Sequence, residues 1–202
     1  MDYNHLAYIE NQHPMIRTRI GTKEDIDGIL SLQEKYLYRN LSETERLSGF
    51  VTTPFTVGQI EEILKQNGLI VAVNEKDTII AYAFAGSWKY FEQWEIFNFM
   101  VSRFPQLFFQ GKEITIANSF QYGPVSIEKE YRGKGVLNLI FEEMRLEFKK
   151  KYPISITFIN KVNVISKIAH TRKLGWKIID EFEYNNNTYI GLAFDMNNSV
   201  LG

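Results

Sequence analysis

Residues 123–137, Gly123-Pro-Val-Ser-Ile-Glu-Lys-Glu-Tyr-Arg-Gly-Lys-Gly-Val-Leu137, join the end of a predicted strand to an amphipathic helix. Gly133 and Gly135 lie where the helix begins, and glycine lets successive backbone N–H groups turn toward one point. The helix N-terminus adds partial positive charge, and Arg132 and Lys134 add full charges. This combination predicts a site for a phosphate or pyrophosphate. A Gly-rich turn with solvated basic residues is the alternative that this motif alone leaves open.

Other phosphate-binding and catalytic motifs fit this stretch poorly. A P-loop would need glycine where Glu128 stands and Ser or Thr where Gly135 stands. A dinucleotide fingerprint would need a third glycine at Asn138. The chain contains no GxSxG, HRD or DFG motif, so hydrolase and kinase functions have no support.

Hydrophobic periodicity on both sides of the stretch predicts alternating helices and strands. Thr22 and Asp25 have the spacing of a capping box and open a predicted helix over about 22–38. A second helix begins at Thr56, with Gln59 at the capping position, and Gly68 ends it. The remaining predicted elements are strands at 69–73, 78–85 and about 114–127, a helix with a buried stripe of Leu137, Ile140, Phe141, Met144 and Phe148, a strand at 154–160, a helix at about 164–174, and strands at about 176–183 and 188–195.

Two regions together resemble the GNAT family of N-acetyltransferases. The family's acetyl-CoA signature is Arg/Gln-x-x-Gly-x-Gly/Ala, and here it reads Arg132-x-x-Gly135-x-Leu137, without the final small residue. Asn163-x-x-Ser166-x-x-Ala169-His170, followed by Leu174-Gly175-Trp176, resembles the family's next helix and turn, with one extra residue between His170 and Gly175. The order of elements resembles the family over about residues 16–195.

The resemblance implies an α/β fold, a GNAT-like mixed sheet of about six to seven strands covered by helices, with a helical insertion between the third and fourth strands. It implies that coenzyme A lies between the strand ending at Ile127 and the strand 154–160. The cofactor-binding residues that it implies are Val125, Ser126, Ile127, Arg132, Gly133, Lys134, Gly135, Val136, Leu137, Asn163 and Ser166.

Catalysis in this family needs a proton donor for the departing thiolate. The family's tyrosine corresponds here to His170, or to Thr171 if the extra residue lies earlier, and Tyr122 is a further candidate at the acceptor site. A histidine can donate near neutral pH, but a structural histidine is the alternative. The general base is left open: the strand 114–127 has no carboxylate between Ile114 and Ile127, and the candidates are Glu92, Glu95, Glu113 and Tyr122.

The insertion, residues 88–112, contains nine aromatic side chains. In the implied fold it joins strands that flank the thioester, and aromatic walls suit small-molecule pockets. Trp88 and Trp94 are therefore predicted to bind the acceptor. A dimer interface or a permanently packed lid is the alternative.

Composition limits the remaining possibilities. The 202 residues are 45% hydrophobic, which suffices for a core, and no linker divides them, so we expect one domain at 16–197 between an N-terminal extension, 1–15, and a tail, 198–202. The balance of 23 basic and 24 acidic residues disfavours nucleic-acid binding. The lack of cysteine excludes thiol catalysis, and only three histidines make a metal centre unexpected. No secretory signal or membrane-length apolar run is visible, so we expect a cytoplasmic protein, monomeric or homodimeric.

The function expected from these observations is transfer of an acetyl group from acetyl-CoA to a primary amine of a small molecule or amino-acid-like acceptor, by direct attack. The alternative is a catalytically degenerate acyl-CoA-binding module, which the missing tyrosine and missing strand carboxylate favour.

Overall fold

A computed structural model describes residues 15–201. The strands are β1 (Arg17–Ile20), β2 (Leu69–Val73), β3 (Ile79–Gly86), β4 (Phe108–Phe109), β5 (Lys112–Glu113), β6 (Ser119–Ile127), β7 (Ile154–Asn160), β8 (Lys177–Tyr184) and β9 (Asn187–Asp195). The helices are α1 (Ile26–Tyr36), α2 (Glu43–Arg46), α3 (Val57–Leu64), α4 (Trp88–Phe91), α5 (Glu95–Ser102), α6 (Val136–Phe148) and α7 (Val164–Ile168). The predicted N-terminal extension lies, apart from its last residue, outside the described residues.

Seven strands form one mixed sheet in the order β1-β2-β3-β6-β7-β9-β8. The contact between β6 and β7 is parallel, and the other neighbouring pairs are antiparallel. Helices α1, α3, α4 and α5 cover one face, and α6 covers the other. The predicted fold class is confirmed, and the insertion does lie between the third and fourth strands of this sheet.

Three local differences from the predicted elements have physical reasons. The edge strand β1 was not among the predicted strands, because four residues that pair on one side only leave a weak pattern. The predicted strand 114–127 is shorter, since the Asn118 side chain accepts a hydrogen bond from Thr115 N–H at 2.8 Å and closes a turn there. The short helix α2 is also new, and Ser42 caps it.

The predicted capping boxes are confirmed at Thr22 and Thr56 by hydrogen bonds between backbone and side chain. Thr22 N–H donates to the Asp25 carboxylate at 2.8 Å, and Thr56 N–H donates to the Gln59 side chain at 2.9 Å. Gly68 follows α3 at a point where a Cβ would lie 1.9 Å from the Ala85 carbonyl oxygen, so no larger residue fits between helix and sheet.

The insertion contains two helices, α4 and α5, and a small hairpin, β4–β5. Apart from Phe108, which is exposed, its aromatic side chains pack into the core on the α1 face. Phe91 lies 4.7 Å from Phe97, and Trp88 lies 4.9 Å from Phe104, between ring centres. The Arg103 guanidinium forms two hydrogen bonds to Asp180 on β8 and ties the end of α5 to that strand. The insertion is therefore a fixed part of this layer.

Candidate functional site

An irregularity in β6 prepares an opening in the sheet. Ala83 of β3 is opposite Val125 and Ala85 is opposite Tyr122, so Gly123 and Pro124 together face one residue of β3. This is a β-bulge, with Gly123 at a φ of +106°. The extra residue leaves the side chains of Tyr122 and Val125 both packed on the α6 side of the sheet.

Within the described chain, β6 and β7 pair only from Ser119 to Gln121 on the β6 side, and the rest of β6 diverges from its neighbour. Glu128 N–H donates to the Ile80 carbonyl at 2.8 Å, which fixes the alternation of hydrogen-bonding groups along β6. By that alternation the backbone groups of Val125 and Ile127 face away from β3, toward the gap. The two strands thus form a V whose inner edge presents main-chain donors and acceptors.

Two neighbouring cavities, which share part of their lining, lie along this V. The first, which we call the turn-side cavity, lies against the turn after β6 and the start of α6, and it encloses about 830 Å³ including space open to solvent. The second, the strand-side cavity, lies between the diverging ends of β6 and β7 and encloses about 540 Å³ on the same measure. Both are lined by a shared group of residues: Phe50, Val51, Val125, Asn163, Ser166 and His170.

The turn after β6 has the conformation that the glycines were predicted to allow. Gly133 and Gly135 adopt φ of +76° and +82°, and Gly135 is the N-cap of α6. No described atom lies within 4 Å of a Cβ placed on either glycine, so the space above the turn is open. The N–H groups of the first turn of α6 have no partner within the helix, and they lie beside the turn-side cavity with the positive end of the helix dipole. This is the geometry of an anion site.

The basic side chains around this turn differ in what they can do. The Arg132 guanidinium donates to the carbonyl groups of Ile127, at 2.8 Å, and Ser48, and it lies 4.5 Å from the centre of the Tyr36 ring. Lys134 lies over the Tyr131 ring and outside the residues that line the cavity. Lys173 lines it instead, although nothing in the sequence pattern singles it out. Arg132 and Lys173 therefore supply the positive charge at the cavity wall.

A segment that the sequence did not indicate, residues 48–52, lies against both cavities. Arg132 holds it through Ser48, and the Asn163 side chain holds it by donating to the Phe50 carbonyl at 3.1 Å. Asn163 also accepts from Ser166 N–H at 3.3 Å and so caps α7. These contacts join residues 84 and 113 positions apart, which local patterns cannot reveal.

His170 lies on a π-helical turn, Ala169–Lys173, that continues α7. This turn occupies most of the interval between His170 and Gly175, and such turns are frequent at functional sites. His170 is buried, and its Nδ1 lies 2.8 Å from the Ser166 carbonyl oxygen, so Nδ1 carries the proton and donates. Nε2 then keeps its lone pair. Burial lowers the pKa of His170 to about 4, so the imidazole is neutral at neutral pH.

Tyr122 is fully buried beside His170, with 5.8 Å between ring centres, and it lines the strand-side cavity. Among the described residues its hydroxyl has no hydrogen-bond partner. Burial raises the pKa of Tyr122, so the hydroxyl stays protonated. Thr171, the other candidate donor, is bonded at 2.8 Å to the Lys167 carbonyl and lines neither cavity.

The two tryptophans predicted to bind the acceptor line neither cavity. Trp88 is buried, with its indole N–H donating to the Ser119 hydroxyl at 3.0 Å. Trp94 packs on Phe55, with 5.1 Å between ring centres. The aromatic count of the insertion reflects its burial in the α1-face core, and acceptor binding by Trp88 and Trp94 stays a prediction that these two cavities do not support. One side chain of the insertion, Phe97, does contact a cavity wall, at Phe158.

No Asp or Glu is among the described residues that line either cavity. The predicted base candidates are elsewhere: Glu92 pairs with Lys89, Glu95 accepts from the Tyr184 hydroxyl, and Glu113 is exposed on β5. Residues 15–201 also contain no group of three or more His, Asp or Glu side chains placed to hold a metal ion. In the same range, no helix has both the length and the apolar character needed to cross a bilayer.

Comparison with solved structures identifies the fold as that of the GNAT acetyltransferases. A GNAT-family acetyltransferase from Streptococcus agalactiae superimposes with a TM-score of 0.60 at 12% identity, over 92% of this chain and 98% of that one. The protein yncA from Salmonella typhimurium, solved with its cofactor acetyl-CoA, gives 0.59 at 13% identity, over 90% and 94%. The ribosomal-protein-S18-alanine N-acetyltransferase of Escherichia coli gives 0.55 at 9%, over 90% and 94%.

Sequence comparisons add nothing to this structural likeness. No family model matches the chain, and no curated protein matches it. Because the sequence identities with the solved structures are low, the likeness shows that the fold is shared and does not show the activity.

Proposed function

We propose that this protein binds acetyl-CoA and transfers its acetyl group to a primary amine of a small molecule or an amino-acid-like acceptor. The observation that carries the proposal is the V between β6 and β7, which opens directly onto the amide-lined turn at the start of α6. A long ligand with a pyrophosphate at one end and an extended amide-containing arm matches these two features together.

The turn fits the phosphate end of this substrate. The amides of residues 132–137 and the positive φ of Gly133 and Gly135 leave a concave surface that a Cβ would fill. Lys173 and Arg132 add charge. Asn163 and Ser166, at the start of α7, line the opposite wall.

The β6 edge fits the extended arm. Val125 presents its backbone groups to the gap, and Ile127 does the same, although its carbonyl already accepts from Arg132 Nε. We expect Arg132 to release that carbonyl when a phosphate competes for the guanidinium, since charge-assisted bonds to phosphate are stronger than bonds to a neutral carbonyl. The side chain of Ser126 points to the opposite face of the sheet from that of Val125. There it lies beside the side chain of its partner Tyr82 and is buried.

The chemistry follows from the groups at the junction of the two cavities. An amine nitrogen attacks the thioester carbonyl carbon, a C–N bond forms, and the C–S bond breaks. A β6 backbone N–H at the gap would stabilise the oxyanion that develops in between. His170 Nε2 accepts the proton that the nitrogen loses and returns it to the departing sulfur, while the protonated Tyr122 hydroxyl donates a hydrogen bond. This order reverses the sequence-based expectation that His170 begins as the donor, because Nδ1–H is already bonded to Ser166.

A second candidate function is an acyl-CoA-binding module without turnover. The lack of any carboxylate among the described lining residues favours it, since no carboxylate base is present there. Release of free thiol from acetyl-CoA with a panel of amines, measured beside CoA binding by calorimetry, distinguishes the two. Binding with turnover supports the transferase, binding without turnover supports the module, and no binding refutes both.

A further inference from the structure

With the extended arm of CoA running along β6 from the turn-side cavity, the strand-side cavity is the space beside His170 that is left for the acceptor. Its chemical lining is unusual for a site that takes an amine. About half of its wall area is apolar or aromatic, and the polar side chains that line it carry no formal charge. The polar members are Thr52, Thr157, Asn160, Asn163 and Ser166, and Tyr122 and Tyr189 each add a phenol hydroxyl group to a ring. The one side chain with an ordinary pKa near neutrality is His170, whose Nδ1–H is bonded inward to Ser166.

Two carboxylates outside the cavity lining, those of Glu128 and Asp180, are bonded to other partners. Glu128, close to the end of β6, accepts from Lys35 at 2.7 Å and from the Tyr36 hydroxyl at 2.6 Å. Asp180 is bonded to Arg103. An alkylammonium entering the cavity would lose water without gaining an opposite charge, and this desolvation costs several kcal/mol. No group there is basic enough to deprotonate it readily.

The aromatic side chains of the wall are arranged so that a planar ligand ring can pack against them. Phe158 and Tyr189 meet edge to face at 5.5 Å and 88°. Phe97 of the insertion supports Phe158 from behind, at 5.2 Å. A planar ring placed against this pair gains both apolar burial and favourable edge contacts.

We propose that the acceptor is a weakly basic primary amine that is uncharged at neutral pH, with an aromatic amine as the simplest example. The inference rests on the proposed transferase function and names its substrate class. An uncharged amine enters without the cost of burying an ammonium, and its lone pair is free to attack. Once the nitrogen is bonded to the carbonyl carbon it carries a positive charge and becomes strongly acidic, so a weak base such as His170 Nε2 suffices to take its proton. The proton then passes to the sulfur, and the products are an amide and the free thiol.

The test compares two amines of nearly the same size that differ in charge. Aniline is neutral at neutral pH, whereas cyclohexylamine is protonated, as a lysine side chain is. We expect kcat/KM for acetylation of aniline to exceed that of cyclohexylamine by at least about tenfold at neutral pH. Equal rates, or a preference for cyclohexylamine, would overturn the inference and leave the transferase function intact. CoA binding without turnover of any amine in a broad panel would instead remove the transferase function, and the inference with it.

An isosteric substitution tests whether the lining causes the preference. Asn160 lines the cavity, and its side-chain oxygen accepts from Val162 N–H at 3.1 Å, a bond that a carboxylate keeps. Asn160→Asp should shift the ratio of the two kcat/KM values toward cyclohexylamine by about tenfold, a typical effect of one nearby opposite charge. Asn98→Asp is the same change at an exposed position of α5 that lines neither cavity. It should leave the ratio unchanged. An Asn160→Asp ratio equal to that of the wild type would refute the assignment of this cavity to the acceptor.

Discussion

The substitution Gly135→Asp tests the proposed phosphate site most directly. Gly135 has a φ of +82° and caps α6, and the space above it is open, so an added side chain meets no described neighbour. The substitution should therefore cost only the strain of a left-handed residue, about 1 kcal/mol in the free energy of unfolding. Its carboxylate would lie where the turn amides converge.

The expected loss of CoA affinity is much larger than this strain. A unit negative charge about 5 Å from one phosphate charge, at an effective dielectric constant of about 20, is repelled by ~3 kcal/mol. That corresponds to roughly a 200-fold increase in Kd. The side chain also fills part of the concave surface, which adds to the loss.

A matched control separates the site from the backbone strain. Gly111, in the β4–β5 turn, has a φ of +77° and equally open surroundings, and it lines neither cavity. Gly111→Asp should lower the midpoint of urea denaturation about as much as Gly135→Asp while leaving the calorimetric Kd for CoA unchanged. A folded Gly135→Asp protein that binds CoA as the wild type does would refute the reasoning.

Three further predictions concern His170 and Trp88. His170→Gln should lower kcat by about 100-fold with little change in the Kd of CoA; full kcat would return His170 to a structural role. Burial lowers the pKa of His170 to about 4 from 6.5, so the unfolded chain binds the proton first, and the stability of the wild type should fall by up to roughly 3 kcal/mol as the pH drops through that window. Urea denaturation of His170→Gln should lack this component, and an identical pH dependence in both proteins would contradict the buried, neutral state. Trp88→Phe removes the donor to Ser119 and should destabilise the fold by about 1–3 kcal/mol without altering the KM of the acceptor; a changed KM at unchanged stability would restore Trp88 to the acceptor site.

Local features of the fold follow from the sequence because their causes are local. Two glycines beside a helix start predict the open turn, since only glycine adopts positive φ without strain, and both Gly133 and Gly135 do so. The capping partners of Thr22 and Thr56 lie three residues away, within reach of pattern analysis. The π-helical turn over Ala169–Lys173, in contrast, is not indicated by any local pattern in the sequence.

The tertiary structure alone decided the chemistry of the cavities. The segment 48–52 and Lys173 reach the V through contacts that join distant parts of the chain. The same long-range packing buries Trp88 and turns Arg132 toward carbonyl groups. It also buries His170, and this desolvation lowers the pKa of the imidazole so that it is neutral at neutral pH. The sequence shows which titratable groups are present. Their pKa values depend on burial and on neighbouring groups, and these are set only when the chain folds.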